Sequence, residues 1–143
     1  MPSALTVTVL TESQEGTIGD DWKYTLEAKV YSGALTGKDQ IKVPKHNLGS
    51  GVTQEPPGPP APIVIPAAKP GAEIQVDLRL LAEEVDFLRN DTGEKPMSFT
   101  MTCPPAGETI VSEREISVGV TENPSGSGNA VFVLALRLEL ASS

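Results

Sequence analysis

Asp86, Asn90, Asp91 and Glu94 crowd oxygen ligands into the stretch 86–94, and Asp20 and Asp21 form a second acidic pair upstream. Carboxylates and amides at this density suit one chemistry, the holding of a hard cation. Calcium takes roughly six to eight oxygens, which loops at one end of a fold supply well. Gly93 permits a sharp turn among them. The spacing departs from an EF-hand, whose ligands alternate around a glycine at the sixth position. Asp86, Asn90, Asp91 and Glu94 are therefore the expected calcium ligands, joined by Asp20 and Asp21 if the two loops share an end of the molecule.

The rest of the catalytic inventory is lean. Hydrolases and transferases need a nucleophile with a base, paired carboxylates, or a metal held by histidine and carboxylate. His46 is the sole histidine, and it lies in a Gly/Pro-rich segment beside Asn47 and Gly49. The expectation is an exposed loop histidine. Cys103, the sole cysteine, continues the alternating stripe Met97, Phe99, Met101 and is expected to be a buried apolar residue. A lone cysteine rules out an internal disulfide and any cysteine-based zinc or iron–sulfur site. Only six residues are aromatic, so a core that claims most of them leaves few for the groove of a glycosidase. The expectation is a protein that is not an enzyme and carries no cofactor, calcium excepted.

The formal net charge of −8 narrows the partners. Binding a phosphate backbone needs clustered Lys and Arg, and the eleven basic residues here are scattered, so no nucleic-acid partner is expected. The same acidity disfavours direct adsorption to an anionic membrane. No run is long and apolar enough to span a bilayer. The opening MPSALTVTVL carries neither a basic region nor an apolar leader core, which points to an intracellular protein or one exported without a cleaved leader.

Apolar residues recur mainly at every second position, which is the period of a strand. Leu5, Val7 and Val9 open the first strand, and TESQEGTIGDD reads as the loop after it. Trp22, Tyr24, Leu26, Ala28 and Val30 mark the second strand, with Trp22 and Tyr24 sealing one end of the core. Ile41 and Val43 suggest a short strand stopped by Pro44. Segment 44–70 holds eight prolines and reads as a surface excursion or as an edge strand around Ile63–Ile65. Ile74–Leu80 and Met97–Cys103 form a central pair of strands. Between them Leu80, Leu81, Val85 and Leu88 fit a short helix near 81–88, while Val85 and Phe87 fit a continued strand; the two consecutive leucines favour the helix. A strand over Arg114–Thr121 follows, and TENPSGSGN lacks the lysine of a phosphate loop. In the final strand Phe132, Leu134, Leu136, Leu138 and Leu140 share one face, and the other face starts apolar, as in the middle of a sheet.

Seven to eight strands separated by Gly/Pro/Asn turns predict a single all-β domain over 1–143. Its expected form is an antiparallel two-layer β-sandwich with a Greek-key, C2-like or Ig-like layout. The expected function is a non-catalytic binding or structural module that engages a protein partner through loops or a sheet edge. The alternative is a calcium-binding C2-like module attaching to membrane or carbohydrate. Val131 and Val133 face away from the leucine stripe and would favour homo-oligomerisation if the last strand were an edge.

Overall fold

Period-two burial dominates the computed structural model, which describes residues 3–86, 90–122 and 128–143. Nine strands build two antiparallel sheets. They are β1 (Ser3–Gly16), β2 (Asp21–Ser32), β3 (Ala34–Asn47), β4 (Thr53–Gln54), β5 (Ile63–Pro66), β6 (Glu73–Val85), β7 (Asn90–Thr102), β8 (Thr109–Thr121) and β9 (Asn129–Ser142). One sheet, here sheet A, runs β4-β1-β9-β8, with β5 pairing β1 on the same side as β4; sheet B runs β3-β2-β6-β7. The expected two-layer sandwich is the observed fold.

Each inner face is supplied by alternate residues. Leu5 and Val7 of β1 and Phe132, Leu134, Leu136, Leu138 and Leu140 of β9 meet Trp22, Leu26 and Val30 of β2 and Ile74, Val76, Leu78 and Leu80 of β6. Trp22 stacks on Phe132 across the gap, ring centroids 5.3 Å apart, and so closes one end of the core as its position suggested. β9 lies inside sheet A, between β1 and β8. The edge placement that would have left Val131 and Val133 in want of a partner is absent, although Val131 is still 49% exposed on the outer face.

Four expectations need correction. No helix occurs at 81–86, because β6 continues to Val85 while paired on both sides, with Trp22 opposite Glu84 and Asn90 opposite Val85. Leu80 faces the core and Leu81 the outer side, so consecutive leucines do not end the alternation; residues 87–88 lie outside the described residues. Pro44 does not stop its strand, because β3 is an edge and a missing N–H facing solvent breaks no ladder. TESQEG is strand as well, since β1 extends to Gly16 against β9. The excursion after β3 touches down twice on β1: β5 is the edge strand expected around Ile63–Ile65, and β4, which was not expected, raises the strand count to nine. Among the described residues no helix is long and apolar enough to cross a membrane.

Candidate functional site

Two β-bulges decide what lies inside the sandwich at its Trp22 end. In β1, Val9 pairs with Leu136 and Thr11 with Ala135, so Leu10 is an extra residue. A bulge of one residue exchanges the two faces of the strand beyond it. Up to Val9 the odd positions are buried; after the bulge Glu12 and Gln14 are, at 0% and 2% exposure. In β3, Val43 pairs with Tyr24 and His46 with Trp22, so Pro44 and Lys45 together oppose Lys23. That bulge turns His46 inward, leaving its side chain 10% exposed. The expected exposed loop histidine is thus a strand residue pointed at a buried carboxylate.

Glu12 gathers donors from β2 and β3 of the facing sheet and from β4 of its own sheet. Tyr24 Oη donates to its Oε1 at 2.9 Å, Gln54 Nε2 donates to Oε2 at 3.0 Å, and His46 Nε2 contacts the same Oε2. His46 Nδ1 donates to the Pro44 carbonyl at 2.8 Å. With that nitrogen carrying a proton, the contact to Glu12 needs a second one, held by the ring or by the carboxyl. Burial first, then the charge and hydrogen bond of Glu12, push the Tyr24 phenol far above its ordinary pKa. Tyr24 is therefore a committed donor, not an incipient nucleophile. Gln14 Nε2 adds bonds to the carbonyls of Leu48 at 2.9 Å and Gly19 at 3.2 Å.

Across Trp22 lies a second polar group. His46, Trp22, Glu84 and Asp91 form one cross-strand row of sheet B. Glu84 is 3% and Asp91 1% exposed. Burial, and after it the charges of Asp86 and Asp91, push the Glu84 carboxyl up to about 7, against a hydrogen bond from the Asp21 N–H that pulls it down. Glu84 Oε1 has no hydrogen-bond partner among the described residues.

The six expected calcium ligands are only partly brought together. The charges of Asp86, Asp91 and Asp21 all act on Glu84, a carboxylate absent from the expected set, and the Asp21 N–H donates to it. Asp20 is exposed in the turn before β2, and its carbonyl accepts the Leu48 N–H at 2.7 Å. Asn90 and Glu94 face outward, because 90–94 is strand and even positions there oppose the side taken by Asp91. Asn90 Nδ2 donates to Glu83 at 3.2 Å, and Glu94 takes a two-point grip from Arg79 at 2.7 and 2.8 Å. Among the described residues no group of three or more His, Cys, Asp or Glu side chains is disposed to hold a metal ion. Cys103 is 1% exposed and faces the core, far in character from a reactive thiol.

Glu12, Gln14 and Gln54 escaped the sequence reading, and Glu84, although it borders the same oxygen-rich stretch, was not among the expected ligands. The one signal for Glu12 was Val9-Leu10, two consecutive apolar residues where alternation demands one. On the outer face of sheet B the β3 bulge leaves an open depression of about 430 Å³ over Thr25, Pro44 and Leu81, with Lys23 at its rim tied to Glu83 at 3.4 Å.

The sheet edges differ sharply. β3 carries Lys38, Lys42, Pro44 and Lys45, β7 carries Lys95-Pro96, and the β4–β5 edge is broken by prolines. Lysine and proline are the usual means of blunting an edge against strand addition. β8, thirteen residues long, has neither. It exposes Ile110 by 40% and Val111 by 57%, followed by the alternating charges Glu113, Arg114 and Glu115. Beside it Met97, Phe99 and Met101 of β7 are half-buried, and the Arg114 guanidinium lies 3.9 Å over the Phe99 ring. Compared with known proteins, the chain matches no family model and no curated relative.

Proposed function

We propose that the chain is a non-catalytic binding or structural module that engages a protein partner by strand addition at the β8 edge. One observation carries this reading: β8 is the long edge strand that lacks both lysine and proline while displaying Ile110 and Val111. The polar cluster around Glu12 supports it from the other side. Its donors are spent on holding β1, β2, β3 and β4 together, which leaves no activated nucleophile beside a base within that cluster. A random peptide library selected on the purified protein, with amide shifts mapped by NMR, tests the reading. Selected peptides should shift the amides of Thr109–Ile116, and Val111→Lys should weaken them. Peptides that instead shift the connecting loops would remove it.

A second reading is calcium-dependent attachment to membrane or carbohydrate. Its support is Glu84, buried beside Asp21, Asp86 and Asp91 with one oxygen lacking a partner. Calorimetry with calcium, and melts with and without EDTA, test it; no heat and no midpoint shift at millimolar calcium would eliminate it.

A further inference from the structure

We propose that the partner strand is β3 of a second copy of this chain, added antiparallel to β8. The inference rests on the edge-docking reading above and names its partner. β3 and β8 lie at opposite sides of the sandwich, β3 next to β5 and β8 next to β7, so each copy offers one of each. In the register that sets Lys38 opposite Glu115, Asp39 falls opposite Arg114 and Gln40 opposite Glu113. Continuing along the strands, Ile41 meets Ser112, Lys42 meets Val111 and Val43 meets Ile110.

Three observations select this register. The faces agree: Ile41 and Val43 point into one sandwich and Ile116 and Val118 into the other, and this register sets inner residues against inner ones throughout. A one-residue slip would set inner against outer. The charges agree as well. Lys38, Asp39, Glu113, Arg114 and Glu115 are all exposed, and none of the five has an ion-pair partner within the chain among the described residues. Sliding by two residues in either direction loses both the Asp39–Arg114 and the Lys38–Glu115 pairs and creates one new opposite pair at most. Finally the lengths agree. The β3 bulge at Pro44–Lys45 ends the usable edge after Val43, which lies opposite Ile110, one residue inside the start of β8.

The lysines of β3 thus exclude most strands and admit one with acids at the right spacing, an exclusion that is half of any specificity. Because the two surfaces differ, the interface is heterologous. Each added copy leaves one β3 and one β8 free, so assembly grows head to tail into filaments or closes into a ring.

Sedimentation velocity of the full chain over a concentration series tests this. Wild type should grow beyond a dimer as concentration rises. Reversing one member of a directly opposed ion pair turns attraction into repulsion, so Lys38→Glu and Glu115→Lys should each weaken association by about tenfold. The double variant should recover to within about twofold of wild type, because it restores the pair with the charges exchanged. Growth that stops at an isologous dimer overturns the proposal, and so does a double variant as weak as its parents. A wild type that stays monomeric while library peptides still shift Thr109–Ile116 overturns the identity of the partner and leaves the edge reading standing. Peptide shifts confined to the loops would remove both.

Discussion

Glu84 is the residue whose surroundings most clearly cost the fold something. Its folded pKa of about 7 lies above its ordinary 4.5, so the folded state binds that proton more tightly than the unfolded chain does. Stability from this group is complete below about 4.5, falls as pH rises from there towards 7, and stays lost above it. Thermal melts from pH 5 to pH 8.5 should therefore show a falling midpoint, and Glu84→Gln should flatten the slope and raise the midpoint at the alkaline end. Parallel curves for the two proteins would show that the carboxyl is not held neutral. Glu12 makes the opposite case, a buried carboxyl group with its partners in place. In Glu12→Gln the amide NH2 or its oxygen must take the place of a carboxyl oxygen bonded to Tyr24, His46 and Gln54, and leaving one of these buried groups unmatched costs roughly 1–3 kcal/mol. Urea denaturation should place the variant below wild type by that amount, with Tyr24→Phe losing less because only one bond goes. Equal midpoints for Glu12→Gln and wild type would mean the cluster contributes nothing to stability.

Among the elements, the bulges at Leu10 and at Pro44–Lys45 and one close approach decide what meets across the sandwich. β7 packs closely against β8 of the other sheet, and Gly93 is there for lack of a side chain. A Cβ on Gly93 would collide with the Gly119 carbonyl oxygen and would stand 2.9 Å from Val120 Cγ2. Gly119 itself has open space around its own Cβ position. Gly93→Ala should thus lose about 1–3 kcal/mol by overpacking, whereas Gly119→Ala should be near neutral. Chemical denaturation of the pair checks this, and equal losses would contradict the close packing. The bulges act more quietly. Without the one at Leu10, Thr11 and Ser13 would be buried in place of Glu12 and Gln14, and without the one at Pro44–Lys45, His46 would point to solvent.

On the scale of the whole molecule, Trp22 reports on both layers at once, since it belongs to sheet B and stacks on Phe132 of sheet A. It is fully buried, and it is the only tryptophan. Its emission should be blue-shifted and shielded from acrylamide, and its unfolding transition should coincide with loss of the far-ultraviolet strand signal. A fluorescence transition that precedes the strand signal would mean that the sheets separate before either melts. The edge chemistry belongs to this scale too, because β3 and β8 acquire meaning as a pair only once the strand order puts them on opposite sides. In the proposed head-to-tail assembly their charges would be the recognition pattern, on a surface whose net charge of −8 otherwise keeps copies apart.

The alternation of Leu5 with Val7, of Trp22 with Tyr24 and of Phe132 with Leu134 determined by itself that these segments are strands, which face they bury and that two layers close on them. The placement of Cys103 in the core follows from the same local rule. What lay beyond it was every property that depends on a partner strand. The helix expected near 81–88 gave way at 81–85 because β2 and β7 pair with both sides of β6, a fact about neighbours distant in sequence. Asn90 and Glu94 parted from Asp91 because the loop expected there is a strand. His46 and Glu12 met because two bulges, each a mismatch of length between one strand and its neighbour, exchanged the faces of β1 and β3. Side-chain period is written residue by residue, whereas register, bulges and edges exist only between chains of residues, and the tertiary structure alone decides them.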